Sequence, residues 1–213
     1  MPTPPSSRSI KIDQDERGGW SSDGPRRDGA PRRPANLAVR CRVLAPAELL
    51  RYSPGSLMLV VSPVAAEADR FAQRLIEERG ALLSLAKVRG LLAGRVDEEE
   101  VEARAAQLLD AAVAKRLEAN ESVVITVEGL EAETREHYVR MAAAHKRPCH
   151  IVLVETPREQ VEEEDRATLN KLRKLLGAGD LGAEGFNTAL RVMPNSMGEI
   201  KRIVFRPPPR DDD

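Results

Sequence analysis

The chain has 213 residues, 41% of them hydrophobic and 31% charged, with a formal net charge of -1. That length suits one ordinary domain with extensions, and the near-neutral balance excludes a global electrostatic pull toward nucleic acid or membrane. No apolar run approaches bilayer-spanning length, and with aromatics at only 3% the core must rest on Leu, Val, Ile and Ala.

Residues 1–36 are rich in Pro, Ser, Gly, Arg and Asp and have almost no apolar periodicity. Such a segment buries too little surface to offset its ordering entropy, so a disordered N-terminal arm is expected. Its arginine pairs, Arg26-Arg27 and Arg32-Arg33, are candidate contacts to an anionic partner, and a solvated tail is the simpler reading of so mixed a charge pattern. The first 20 residues are polar and contain Pro and acids, which is unlike a secretory signal. The two cysteines, Cys41 and Cys149, form no CxxC pair and suit a reducing compartment. The expectation is a cytoplasmic protein without a membrane anchor. His137, His145 and His150 show no metal-ligand spacing, and Cys149 and His150, adjacent on an expected strand, point to opposite faces. Neither a metal nor a cofactor is expected.

The domain proper is expected over residues 37–206. A strand near 39–43 and a helical turn at 46–51 lead into the turn Ser53-Pro54-Gly55. Residues 57–61 are continuously apolar, as in a strand buried on both faces. Ser62 as cap and Pro63 as first helical residue then open a helix to about Arg79. A short strand (81–84) and a short helix (87–92) follow. Asp97, with Glu100 three residues on, suggests a capping box for a long helix carrying Val101, Ala105, Leu108, Ala112, Val113 and Leu117 at helical spacing. Strands are expected at 122–127 and 149–154, with a helix at 132–146 between them. A helix over 158–176, broken near Asp165, leads to a loop (177–182), a short helix (185–189) and a last strand (200–205). The tail 207–213 is expected to be extended. Strands alternating with helices predict an α/β three-layer sandwich with a mostly parallel sheet, whose functional loops follow Val61, Leu83 and Val127 at the strand carboxyl ends.

The stretch LMLVVSPVAAEADRFAQRLI, residues 57–76, resembles the opening strand, loop and helix of P-loop kinases, in particular the polynucleotide-kinase-like group. Ser62, Ala65 and Glu67 stand where that family has the glycines of its phosphate loop. Ala68 stands at the Lys, and Asp69 at the Ser or Thr that meets Mg²⁺. LLSLAKVRGLL (82–92) is similar to the family's second strand and loop, with Ala86 in place of the base Asp. SVVITVEGL (122–130) resembles the third conserved strand, but reads Thr126, Val127, Glu128, Gly129 where the family has Asp, Ala, Thr, Asn. Glu164 falls at a phosphate-binding Arg of the lid helix, and Glu184-Gly185-Phe186 matches an element near the family's C-terminal end. The resemblance implies a P-loop-kinase-like fold in a degenerate, pseudokinase-type member. Every departure falls on chemistry, and the implied connection from strand to helix lacks a phosphate loop.

Three functions compete on this sequence. A non-catalytic, kinase-like protein would act by binding a protein partner or itself, as a regulatory subunit, adaptor or assembly component, with no catalytic residue. A nucleic-acid-binding module would use Arg40, Arg42, Arg51, Lys87, Arg89 and Arg95 for phosphate contacts, if they cluster on one face. An enzyme with different chemistry would gather Glu67, Asp69 and Glu128 as a carboxylate site.

Overall fold

The computed structural model describes residues 41–43, 49–194 and 200–207. The expected arm, with Arg26, Arg27, Arg32 and Arg33, lies outside the described residues, as does the tail from residue 208.

β1 (Cys41–Val43) and β2 (Leu49–Tyr52) come first. Residues 49–51 are thus a strand and not the expected helical turn, because pairing with a distant strand overrides the helix-like AELLR composition. β3 (Leu57–Ser62) is buried at all six positions, as its unbroken apolar run predicts. α1 (Ala65–Leu75) starts two residues later and ends four residues earlier than expected. Its cap is Val64 and not Ser62. After a single 3₁₀ turn come β4 (Leu82–Ser84) and α2 (Leu85–Leu92). The Ser84 hydroxyl caps α2 by accepting the Lys87 N–H at 3.3 Å. α3 (Glu98–Glu118) has Asp97 at its cap, but the Asp97 side chain makes no capping bond, so the capping box does not form.

β5 (Val123–Glu128), α4 (Ala132–Ala144) and β6 (Cys149–Val154) follow the expected order. α5 (Glu163–Ala178) is unbroken at Asp165; a separate 3₁₀ turn at Arg158–Gln160 precedes it. α6 (Leu181–Glu184) then leads to β7 (Thr188–Val192), a strand where a helix over 185–189 was expected. β8 (Arg202–Phe205) closes the described chain.

The main sheet runs β1-β7-β6-β3-β5-β4, and every pairing in it is parallel. β2 and β8 form a second, two-stranded parallel sheet. Alternate residues of β3 enter opposite cores. Leu57, Leu59 and Val61 pack with Leu109, Val113 and Leu117 of α3, with Tyr138 and Ala142 of α4, and with Leu169, Leu172 and Leu176 of α5. Met58 and Val60 pack with Ala68, Phe71, Ala72 and Leu75 of α1 and with Leu50, Ile203 and Phe205 of the small sheet. Each fully buried Leu, Val or Phe contributes about 1.5–3 kcal/mol. The result is the three-layer α/β arrangement expected.

The chain leaves β3 for β4 and β5 on one side, then crosses to β6 and β7 on the other. The carboxyl ends of β3 and β6 therefore flank a topological switch point, where ligands bind in sheets of this kind.

Candidate functional site

Two residues, Pro63 and Val64, connect β3 to α1, so no phosphate loop separates strand from helix. Ser62 is fully buried, and its hydroxyl accepts the Val64 N–H at 3.3 Å. The Glu67 N–H is turned back onto the Val64 carbonyl at 2.9 Å. Two of the three positions that correspond to loop glycines, Ala65 and Glu67, are already helical. The first turn of a helix thus stands where a phosphate loop would curl its successive N–H groups around an anion.

The side chains complete the closure. Ala68, at the position of the lysine, is fully buried against Met58 and Val60. Asp69 accepts a 2.5 Å hydrogen bond from the Thr126 hydroxyl, which fastens α1 to β5. Glu67 turns to Arg70 at 2.7 Å. Glu128 meets Arg89 at 2.7 Å, and Arg89 also forks onto Glu102 with two contacts of 2.6 Å. Those hydrogen bonds, donated to Glu102 first and then to Glu128, raise the Arg89 pKa, and the one to Glu102 holds that carboxyl below the usual carboxylate range.

Ala65, Asp69, Ala86 and Glu128 do converge, lining one cleft together with Ser84 and Thr126. That cleft has a volume of about 10 Å³, which admits one water at most. Glu67 does not line it, so the three carboxylates considered as a site are not brought together. Among the described residues, no group of three or more His, Cys, Asp or Glu is placed to hold a metal ion. Cys149 and His150 face opposite cores: Cys149 lies among the α3–α5 contacts, while the His150 ring sits 4.7 Å from that of Tyr52, beside the small sheet.

One charged group escaped the sequence reading. Glu155 follows β6 directly and is 2% exposed. It accepts the Arg191 Nε–H at 2.6 Å and a two-pronged contact from Arg173, with one prong at 2.9 Å. Burial alone would raise its pKa, but the hydrogen bonds from Arg173 and Arg191 outweigh burial and lower it. The signal available was position: Glu155 is the first polar residue after the apolar run of β6, at the carboxyl end beside the switch point.

Glu164 is exposed in the first turn of α5. Glu184 forks onto Arg135 with two contacts of 3.0 Å, and Arg135 also donates to the Leu130 carbonyl at 2.6 Å. Gly185 has φ +108°, and a Cβ there would lie 2.5 Å from Val139 Cγ1, so only glycine fits. Phe186 is buried in the core. This element is built as a tie between α6 and α4.

A family model described as AAA domain matches residues 69–171. The matched span takes in β4, β5 and β6, while β3 and residues 63–68 precede it. No curated protein matches the chain. Among solved structures, a candidate kinase of Chloroflexus aurantiacus is 13% identical, with a TM-score of 0.41, over 66% of this chain and 86% of its own. The tunicamycin resistance protein of Deinococcus radiodurans is also 13% identical, with a TM-score of 0.36, over 64% of this chain and 85% of its own. Likeness at that level adds nothing to the sheet order, which carries the fold. Parallel sheet, central β3 running into α1 and the AAA-domain match together give an α/β protein of P-loop-kinase-like fold. Among the described residues no helix is long and apolar enough to cross a membrane.

Proposed function

We propose that this chain is a non-catalytic, kinase-like protein that acts by binding another macromolecule, as a regulatory subunit, an adaptor or an assembly component. One observation carries the reading: helix α1 fills the place of a phosphate loop and leaves a cleft of about 10 Å³. Phosphoryl transfer depends almost wholly on positioning and on neutralising charge. Here the cleft presents Asp69 and Glu128, and the cation at its rim, Arg89, is already engaged by two carboxylates. The Glu184-Gly185-Phe186 element supports descent from the polynucleotide-kinase-like group, retained as a packing device.

The test joins two measurements on one sample. The chain is purified from a native-like lysate with its partners, and Mg²⁺-ATP is titrated into it by calorimetry. A stoichiometric protein partner without Mg²⁺-dependent ATP binding is expected. Mg²⁺-dependent binding at physiological ATP concentration that is lost in Glu128→Gln would sink the proposal.

A further inference from the structure

A groove of about 610 Å³ opens at the C-terminal end of α1, roughly 15 Å along the helix from the closed cleft. Its floor is the outer face of the β2–β8 ribbon. The parallel register sets Leu49 beside Arg202 and Arg51 beside Val204. Alternate residues Leu50, Ile203 and Phe205 turn the other way, into the core. Arg74 and Glu77 enter from the end of α1, and Lys201 and Arg206 flank β8.

Among the described residues, five cations thus surround a single carboxylate. Glu77 accepts from Arg202 Nη1 at 2.6 Å and from Arg206 Nη2. Arg51, Arg74 and Lys201 are exposed, and none has an ion-pair partner among the described residues. A volume of this size is that of a small-molecule site. Guanidinium groups recognise phosphate by paired N–H donors, and an ammonium adds a point charge. Among the described residues no aromatic side chain lines the groove, so they offer no platform for stacking the bases of a single strand.

The geometry points to a binding site for a small ligand bearing two or more linked phosphate groups, held by Arg51, Arg74 and Lys201, with Arg202 and Arg206 passing from Glu77 to the ligand as it enters. Glu77 occupies the place of the anion in the free protein. This site goes beyond the function proposed above and does not depend on it.

Tripolyphosphate, without Mg²⁺, is the probe for calorimetry on the full chain at low salt. One equivalent is expected to bind. Affinity is expected to fall at least tenfold in Arg74→Ala/Lys201→Ala, two exposed positions, and to rise in Glu77→Gln, which removes the competing carboxylate. A folding defect cannot produce that gain. ATP without Mg²⁺ is run in parallel. If it binds more tightly with the same response to the substitutions, the ligand is a nucleotide; if it binds more weakly, the ligand is a free phosphate chain. Both outcomes support the site. No binding of either anion, binding indifferent to Arg74 and Lys201, or binding confined to long oligonucleotides overturns it. Nucleotide held at the strand carboxyl ends would instead need Mg²⁺, respond to Glu128→Gln and ignore Arg74. Failure here and failure of the proposed function are therefore told apart.

Discussion

Acid should weaken this protein through the buried imidazole of His150. The His150 ring is 6% exposed on β6. Its Nδ1 lies 2.8 Å from the Thr188 hydroxyl, and its Nε2 is buried without a partner. Protonation would leave a charged ring whose second N–H faces no acceptor, and burial accordingly pushes the pKa from 6.5 down to about 4. The unfolded chain therefore takes up the proton first. The full stability is present above pH 6.5 and is lost progressively as pH falls toward 4. Linkage across that window gives a loss of about 2 kcal/mol at pH 5. For a domain of this size the melting temperature drops by about 4–8 °C. The assay is a pair of thermal melts followed by circular dichroism, at pH 7 and pH 5, on the wild type and on His150→Asn. Asparagine keeps a polar atom near Nδ1 for Thr188 but does not titrate. Whatever other groups contribute is common to both proteins, so the extra loss in the wild type isolates His150. Equal losses in the two would refute a neutral, buried imidazole.

Glu155→Gln should lower unfolding stability by about 2 kcal/mol in a denaturant titration at pH 7, because it removes the charge that accepts from Arg173 and Arg191, whose own side chains still reach water. The Glu155 carboxyl is held below its ordinary range, so its contribution exists above the unfolded pKa and disappears as pH falls through the folded one; the acid limb of the stability curve should be flatter in the variant. Burial pushes the Cys149 thiol up to about 12, so maleimide labelling at that residue at pH 8, followed by peptide mass mapping, should stay slow until denaturant is added.

The strands that lie between two layers were legible because burial on both faces leaves an uninterrupted apolar word: β3, β5 and β6 read directly. β2 and β7 did not. Leu49–Tyr52 is half polar and earns its strand geometry only from β8, more than 150 residues along the chain. Thr188–Val192 contains Thr188 and Arg191, and its geometry depends on β6 and β1 at either side. Asn187 begins that pairing by exchanging bonds with Cys149: its side-chain oxygen accepts the Cys149 N–H at 2.8 Å, and its own N–H donates to the Cys149 carbonyl at 2.7 Å. None of this is local, so no window of sequence contains it. For the candidate site, Ala65, Asp69, Ala86 and Glu128 line one cleft, while Ser62, Glu67 and Ala68, singled out on the same resemblance, do not. What composition could not show was the direction of each side chain. Asp69 is a tether to Thr126, and Ala68 is a core residue.

That direction decides whether single substitutions could give this chain the phosphate site of the kinases its sequence resembles. Ala68→Lys puts back the residue type that a phosphate loop requires, but at a position with no exposed surface, packed on Met58 and Val60. Overfilling that contact costs about 1–3 kcal/mol, and burying an unpaired ammonium adds several more. A domain of this kind has about 5–15 kcal/mol in total. Ala68→Lys should therefore unfold at a much lower urea concentration than the wild type and should not bind Mg²⁺-ATP. Ala65→Gly/Glu67→Gly tests the same reasoning in a protein that stays folded. Both positions are in the first turn of α1, where glycine costs about 1 kcal/mol each, and the variant should lose about that stability while gaining no affinity for Mg²⁺-ATP. If either variant folded with wild-type stability and bound Mg²⁺-ATP, α1 would have to open into a loop at little cost, and the closed cleft could no longer support the proposal of a non-catalytic protein.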